Sequence, residues 1–414
     1  MNNITLTKDQ QSALEAFYTF LADPIETVFV LSGFSGTGKT TLIKYLIAAL
    51  PGYMKALKLV HMNQKEYEVE LTATTNKAAE AFSQITGLPV ATIHSSLSLR
   101  VQTDYHSNKT TLIPASDEQQ EGKLLFIDEA SYIDKELLGY IFKLTKNCKI
   151  VFMGDPAQLT PVKSSGTPVF DANFTGAQLS QVVRQAEGNP IVDLSTKFRE
   201  TVTTGEFFQF KPDGEHIQYM DRETFNDALE AEFTRPNWKY QDSKFLAWTN
   251  KTVVAYNHAI SDVVKGDPDF QVGDYAICNK YVTAGRKAIK TDQLVCITDI
   301  APPSNKYGVE GNLVTLDYSH TFFFPKSLQA KNALIKQARS NGDTYIVAEA
   351  DGQWIDLRAA YGCTVNKSQG STFDRVFMDL DDISRCNSGE TIARMLYVAV
   401  SRARHQVFLT GDIV

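Results

Sequence analysis

Cysteine is scarce in this chain, and long apolar runs are missing from it. The five cysteines lie far apart without a CxxC pair, so the sequence predicts neither a disulfide framework nor a zinc site. No apolar stretch approaches the ~20 residues that a membrane span needs. The first residues, MNNITLTKDQQ, lack the basic and apolar regions of a secretory leader. We therefore expect a cytoplasmic protein without a membrane partner.

Acidic residues outnumber basic ones, and the net charge is −7. This balance argues mildly against a nucleic-acid partner, because phosphate binding is driven by clustered Lys and Arg. Basic residues nevertheless cluster at two places, which are Lys326, Lys331, Lys336 and Arg339, and Lys280, Arg286, Lys287 and Lys290. The clusters fit a local basic surface or an ordinary solvated face equally well.

Two regions of the chain repeat an α/β rhythm, in which a short apolar run ends in small or acidic residues and a helical stretch follows. The runs are VFVLSG, YEVELTATT, KLLFIDEA and KIVFMGD in the first region, and FLAWTN, RVFMDL and QVFLTG in the second. Such runs are typical of buried parallel strands. A chain of 414 residues accommodates two to three domains, so the sequence predicts two α/β sheets with a cleft between them.

Two segments interrupt this rhythm. Residues 101–122 are polar and separate two strands of the first sheet, which predicts a protruding β-hairpin. Residues 261–351 contain short strand-like runs with Gly and Pro between them: VGDYAICNK, QLVCITDI, GNLVTLDYS, HTFFFP and DTYIVAEA. Within them, KSLQAKNALIKQARSNG has helical spacing. We predict a small β-barrel interrupted by one helix.

The segment GFSGTGKT, Gly33–Thr40, lies between a predicted strand and a predicted helix. The pattern GxxxxGK[ST] binds phosphates because its glycines let backbone N–H groups turn inward, toward the positive end of a helix. Lys39 would reach the β and γ phosphates, and Thr40 would hold Mg²⁺. The predicted ATP-binding residues here are Gly33, Ser35, Gly36, Thr37, Gly38, Lys39, Thr40 and Thr41.

A neighbouring strand, LLFIDEA, ends in Asp128 and Glu129. Ligands of open α/β sheets bind at the carboxyl ends of the strands. Asp128 suits the shell of the metal ion, and Glu129 suits the polarisation of an attacking water.

The motifs GFSGTGKT, LTATTNKAA, TIHSSL, LLFIDEA, GDPAQLTPV, VVRQ, FLAWTN, YGCTVNKSQGSTFD and LYVAVSRAR occur in this order along nearly the whole chain. In this order they resemble the superfamily 1 helicases, in particular the 5′ to 3′ class that contains RecD-like enzymes. The resemblance implies two tandem RecA-like P-loop domains with a small β-hairpin insert and an SH3-like β-barrel insert. The implied domains are 1–180 with the insert 101–122, then 181–260 together with 352–414, and 261–351 as the barrel.

The resemblance also implies roles for residues at the nucleotide. Gln10 would read adenine, and Gln158 would sense the γ-phosphate. Arg184 and Arg402 would act as arginine fingers, and Gln369 and Gly370 would face ATP.

DNA would be held by loops of both domains. The residues at matching positions are Thr74, Thr75, Asn76, His94, Ser95, Trp248, Thr249, Asn250, Thr364, Asn366 and Lys367. The hairpin insert would split the duplex, with Tyr105 or His106 as its wedge, and the barrel would clamp the strand.

The expected activity is ATP-dependent, Mg²⁺-dependent 5′ to 3′ translocation on single-stranded DNA with unwinding of duplex junctions. Replication or recombination proteins are the implied partners, and likeness to phage members of the class implies a phage protein acting in a bacterial host. Two alternatives stay open. A DNA-stimulated clamp or remodeller that does not unwind shares every motif. A P-loop small-molecule kinase explains GFSGTGKT and Asp128, but not the second sheet domain.

Overall fold

The computed structural model describes residues 6–60, 66–103, 110–116, 118–161, 166–181, 188–285 and 287–413. The chain divides into two compact units. Unit 1 comprises Met1–Thr103, Lys109–Phe208 and Leu396–Ser401, and unit 2 comprises Asp104–Asn108, Gln209–Met395 and Arg402–Val414. Across the described ranges, no helix combines the length and apolarity that crossing a bilayer requires.

Unit 1 contains one large sheet, one hairpin, the short parallel pair β6 and β8, and their connecting helices. Its helices are α1 Lys8–Ala22, α2 Lys39–Val60, α3 Asn76–Thr86, α4 Ile93–Ser96, α5 Lys135–Lys143, α6 Pro168–Asp171 and α7 Pro190–Thr204, with a 3₁₀ turn at Ala130–Tyr132. Its strands are β1 Val28–Gly33, β2 Glu68–Ala73, β3 Ala91–Thr92, β4 Leu99–Thr103, β5 Thr110–Pro114, β6 Gln120–Glu121, β7 Lys123–Asp128, β8 Thr145–Lys146, β9 Lys149–Gly154 and β10 Thr175–Leu179.

The large sheet of unit 1 has the strand order β10-β1-β9-β7-β2-β3, and its pairings are parallel. Both faces are apolar because helices cover both of them. Phe29 and Phe126 pack on one face, and Ile127 and Phe152 on the other. Since β1, β9 and β7 are neighbours, the loops that follow them lie at one edge of the sheet, where ligands of such sheets bind.

The predicted hairpin is present as the antiparallel pair β4 and β5, with Leu99 opposite Pro114. It begins two residues before the predicted insert. Tyr105 and His106, the predicted wedge residues, lie outside the described residues.

Unit 2 contains a second parallel sheet, an antiparallel sheet and the separate antiparallel pair β14 and β15. Its helices are α8 Arg222–Phe233, α9 Asn250–Lys265, α10 Leu328–Asn341, α11 Thr344–Gly352, α12 Val365–Ser368, α13 Leu380–Ile383 and α14 Gly389–Val400, whose last residues count with unit 1. Its strands are β11 Ile217–Tyr219, β12 Ser243–Ala247, β13 Tyr275–Cys278, β14 Val282–Ala284, β15 Lys287–Ile289, β16 Leu294–Ile300, β17 Ser304–Lys306, β18 Val309–Leu316, β19 His320–Pro325, β20 Leu357–Ala359, β21 Gly362–Thr364, β22 Phe373–Asp379 and β23 Ala403–Thr410.

The second parallel sheet has the order β11-β23-β22-β12-β21. Phe245 and Phe377 are fully buried in its core. The prediction of two α/β sheets is therefore confirmed.

The antiparallel sheet has the order β17-β18-β16-β13-β20, with β19 paired to β18. Four of the five strands predicted for residues 261–351 are present, and so is the predicted helix, as α10. The fifth, DTYIVAEA, is wrong: the segment forms α11. Val347 and Ala350, three residues apart, pack with Ile335 of α10 and Trp354 in one core cluster, so helical spacing decides its structure. The predicted domain limits stay predictions.

Candidate nucleotide and nucleic-acid site

The loop Phe34–Gly38, called the phosphate loop below, joins β1 to α2, which confirms the predicted strand, loop and helix around GFSGTGKT. Gly36 and Gly38 have φ of 82° and 78°, values that side chains other than glycine rarely adopt. At Gly33, an added Cβ would lie 2.9 Å from Thr37 Oγ1. The sequence therefore needs glycine here for backbone direction and for space.

Two side chains hold the phosphate loop from within. Lys39 Nζ donates to the carbonyl oxygens of Gly33 and Phe34, the latter at 3.0 Å. Buried Thr37 donates through Oγ1 to Phe34 O at 2.8 Å. Thr40 and Thr41 follow in the first turn of α2.

Gln10, the predicted adenine reader, is 4% exposed, and its amide contacts both the phosphate loop and the start of α1. Its Nε2 donates to Thr37 O at 3.3 Å, and its Oε1 accepts from Thr7 N at 3.0 Å in a capping box that begins α1. The amide therefore ties α1 to the phosphate loop, and its role toward adenine stays a prediction.

Asp128 and Glu129 lie at the end of β7, the second strand from β1 in the sheet. Burial raises the pKa of Asp128, while the Glu129 amide, at 2.9 Å from Oδ1, and the positive charge of Lys39 oppose that rise. A cation therefore favours ionised Asp128. The Thr40 hydroxyl and the Asp128 carboxylate are oxygen donors that suit Mg²⁺.

A second carboxylate, Asp155, follows β9 and was not predicted as a site residue. It is fully buried. Its Oδ2 accepts from the Ser35 amide at 3.1 Å and from the Tyr397 hydroxyl, and its Oδ1 accepts from Ala157 N at 2.9 Å. An Asp directly after a buried strand is the signal that could have indicated it, as it did for Asp128.

Gln158, predicted as the γ-phosphate sensor, is 5% exposed.

Arg199 of α7 was also missed. Its guanidinium lies 3.8 Å from the ring centroid of Phe34, which is a cation–π contact with the phosphate loop.

The predicted arginine fingers have different outcomes. Arg184 lies outside the described residues. Arg402 is buried in unit 2 and donates from Nη1 to Ser371 O at 3.2 Å. Gln369 is buried and Gly370 has φ of 75°, and both also lie in unit 2. The roles of these residues at ATP stay predictions.

Three predicted DNA-contacting threonines share one structural role. Thr75, Thr249 and Thr364 are the N-caps of α3, α9 and α12, and each accepts a hydrogen bond from a backbone amide three residues later. Each helix starts directly after a strand of its parallel sheet. Their hydroxyls therefore fix the loops at the strand ends, whether or not DNA also contacts them.

The other candidates in unit 1 differ in exposure. Thr74 is 9% exposed and donates to Glu129 O at 3.1 Å. Asn76 and Ser95 are exposed, and His94 is half-buried. The structure thus brings Thr74 into direct contact with the acidic strand end.

Among the candidates in unit 2, Asn250 is exposed, while Trp248 and Asn366 are half-buried. Lys367 Nζ lies 2.7 Å from Asn279 Oδ1 and 2.8 Å from Asp292 Oδ1, so a carboxylate compensates its charge. Contact of these residues with DNA stays a prediction.

Three residues of the basic clusters contact acceptors within the protein. Lys326 pairs with Glu310 at 2.7 Å, and Lys280 pairs with Asp351. Lys331 is buried and donates to Trp354 O at 3.1 Å, and burial lowers its pKa. These contacts favour the interpretation of the two clusters as ordinary solvated faces over that of a local basic surface.

Comparison with known families gives this site its context. The family model described as an AAA domain matches residues 5–222, which is more than half of the chain. The chain belongs to this family. A second model, the UvrD-like helicase C-terminal domain, matches residues 359–410. With these two matches and its relatives, the chain is a superfamily 1 helicase of the 5′ to 3′, RecD-like class.

Relatives span the whole chain or part of it. It is 24% identical to the ATP-dependent DNA helicase dda of Enterobacteria phage T4, over 97% of this chain and 98% of the phage protein. It is 32% identical to the RecBCD enzyme subunit RecD of Buchnera aphidicola, over 43% of this chain and 31% of RecD. The Pif1 helicase from Bacteroides in complex with ADP-AlF3 and ssDNA has a TM-score of 0.51 at 17% identity and matches 100% of this chain and 94% of its own, which shows the fold.

In this helicase, Asp382 holds the loop that follows β12. Its carboxylate is 2% exposed and accepts from the amides of Trp248 and Thr249 at 2.7 and 2.8 Å, and from the hydroxyls of Thr249 and Thr252. Sequence reasoning did not select it, because it lies more than 130 residues after the loop.

We expect Asp382→Ala to destabilise unit 2 by about 3 kcal/mol, because buried donors lose their acceptor. All three tryptophans of the chain lie in unit 2, so urea unfolding followed by tryptophan fluorescence reports on that unit. Asp227→Ala, at an exposed position of α8, is the matched control and should change stability by less than about 0.5 kcal/mol. Equal midpoints for the two variants would contradict the role of Asp382.

We expect His94 to be neutral at pH 7. Burial lowers its pKa below the usual 6.5, against a smaller opposing effect of Asp134. The folded state then binds its proton less readily than the unfolded state, so this contribution to stability is present above pH 6.5 and is lost as pH falls through the folded-state pKa. A proton NMR titration, with His94→Gln to assign the resonance, checks this; a midpoint at or above 6.5 would contradict it.

Proposed function

We propose that this protein is an ATP-dependent DNA helicase that moves 5′ to 3′ along single-stranded DNA and unwinds duplex DNA. The observation that carries the proposal is the match of residues 5–222 to the AAA domain model together with the match of residues 359–410 to the UvrD-like helicase C-terminal domain model. The first segment includes the whole parallel sheet of unit 1, and the second includes β21, β22 and β23 of the parallel sheet of unit 2.

Hydrolysis follows from the residues around the phosphate loop. The loop amides and Lys39 bind the phosphates, and Glu129 polarises the attacking water. Mg²⁺, held by Thr40 and Asp128, would neutralise charge on the phosphates. Burial raises the pKa of Asp128, and a neighbouring cation favours its ionised carboxylate.

Coupling to movement would use residues from later in the chain. Arg184 and Arg402 would stabilise charge that develops on the γ-phosphate, with Gln369 and Gly370 facing ATP. Gln10 would read adenine, and Gln158 would report the state of the γ-phosphate. Binding and release of ATP would then alternate the grip of two domains on the strand.

The DNA track would run along loops that follow strands in both parallel sheets. Exposed Asn76 and Asn250 offer amides to phosphates, and half-buried Trp248 offers an aromatic face for stacking.

We propose that the hairpin of β4 and β5 is the strand-separating pin, and that the antiparallel sheet of unit 2 forms an SH3-like barrel that clamps the strand. We further propose replication or recombination proteins of a phage in its bacterial host as partners, on the likeness to dda.

Two assays separate this function from its alternatives. ATPase activity measured with and without single-stranded DNA should rise at least tenfold with DNA; an unchanged rate would favour a small-molecule kinase. Displacement of streptavidin from a biotinylated DNA end should require ATP and occur at the 3′ end. DNA-stimulated hydrolysis without displacement would favour a clamp or remodeller.

A further inference from the structure

A small hydrogen-bonded ring lies beside the phosphate loop. The Ser35 amide lies 3.1 Å from Asp155 Oδ2 and 3.0 Å from the hydroxyl oxygen of Tyr397. The same hydroxyl donates to Asp155 Oδ2, which closes the ring. All three residues belong to unit 1, because that unit includes Leu396–Ser401 and therefore Tyr397.

Burial makes this ring sensitive to small changes. Asp155 is 0% exposed and Tyr397 is 2% exposed, so water cannot replace a lost partner at either group. Polar groups in such surroundings are held strongly when every partner is present and are costly when one is missing. The Ser35 amide has a single hydrogen shared between two acceptors, so its direction depends on both of them.

The members of the ring come from three distant motifs. Ser35 belongs to the phosphate loop, Asp155 begins the segment that contains Gln158, and Tyr397 comes shortly before Arg402. Helix α14, which carries Tyr397, begins among residues of unit 2 and ends among residues of unit 1. After it, Arg402 O accepts from Phe373 N at 2.8 Å, where β22 of unit 2 begins.

From this arrangement we propose that Tyr397 is a positioning residue for ATP hydrolysis, whose hydroxyl fixes the direction of the Ser35 amide through Asp155 and so links the phosphate loop to helix α14. This inference rests on the proposed function, because it concerns the rate of the ATP hydrolysis that the function requires. A displacement of the last turn of α14 changes the hydrogen bonds of one loop amide. Loop amides aimed at developing phosphate charge act only while their directions are held.

Tyr397→Phe removes the hydroxyl and keeps the buried ring. We expect the rate constant kcat with saturating single-stranded DNA to fall about tenfold, while KM for ATP changes by less than about twofold. The matched control is Tyr140→Phe, since Tyr140 is also in unit 1 and donates from its hydroxyl to Leu112 O at 2.8 Å, away from the ring. It should keep the wild-type kcat within about twofold.

A double-mutant cycle tests whether the three groups act as one unit. Asp155→Asn should lower kcat by a similar factor, and adding Tyr397→Phe to it should cost less than about twofold more, because the ring is already open. If the double variant lowered kcat by the product of the two single factors, the inference would be overturned. Wild-type kcat in Tyr397→Phe, or an effect confined to KM, would also overturn it. If Tyr397→Phe lowers the Tm, Asp155→Asn carries the same prediction for kcat and KM.

Failure of the inference differs from failure of the proposed function. A wild-type protein whose ATPase does not respond to DNA contradicts the function, and the inference with it. A DNA-stimulated wild type with a Tyr397→Phe variant of the same kcat contradicts only the inference.

Discussion

Lys39→Ala is expected to lower DNA-stimulated ATP hydrolysis by about 10³-fold, the size of effect seen when one donor to developing charge is removed. Lys39 is the first residue of α2, and its Nζ lies within the phosphate loop, at 3.0 Å from Phe34 O. No other residue proposed to contact the phosphates brings a positive charge from the loop or from the start of α2. The rate is measured by phosphate release with saturating single-stranded DNA.

DNA binding should survive this change, because the proposed DNA contacts use other loops. Affinity for a fluorescent oligonucleotide, measured at one fixed salt concentration, should stay within about threefold of wild type. The matched control is Lys44→Ala, at an exposed position of the same helix, which should hydrolyse ATP normally. Full turnover by Lys39→Ala would contradict the assignment of the loop.

Glu129→Gln should slow hydrolysis by at least about 10²-fold while ATP still binds, because it removes the proposed base but keeps the loop and the proposed metal ligands. The variant should accumulate in an ATP-bound, DNA-bound state. Binding of a fluorescent ATP analogue together with single-turnover hydrolysis measures both parts of this prediction.

Glu80→Gln provides the comparison for Glu129→Gln, since Glu80 is exposed on α3 of the same unit. It should leave turnover unchanged. If Glu129→Gln lost ATP binding instead of hydrolysis, Glu129 would be a ligand or structural residue and not the base.

The parallel strands could be predicted because their burial is uniform. Strands such as β9, in which all six residues are buried, give apolar runs that no solvent-facing alternation interrupts. The segment that became α11 was misassigned for a related reason: TYIVAEA is short and apolar, and such a run fits a strand or a helix until its neighbours are known. Its packing against α10 supplied the missing information.

The site was predictable where its residues follow directly from a strand. Lys39 begins the helix that follows β1 and Asp128 ends β7 of the same sheet, so topology alone brings them to one edge. The contact of Asp155 with Tyr397 joins residues 242 positions apart, and no local pattern predicts such a pair. The capping roles of Thr75, Thr249 and Thr364 were hidden for another reason, since a threonine at a strand end fits a DNA contact as well as an N-cap.

Unwinding of tailed duplexes tests the central claim most directly. A duplex with a 5′ single-stranded tail, one with a 3′ tail and one with blunt ends are each incubated with the protein, ATP and Mg²⁺, and the released strand is measured. The account predicts release from the 5′-tailed duplex only, and none without ATP. Release from the 3′-tailed duplex alone, or from none of the three, would contradict it.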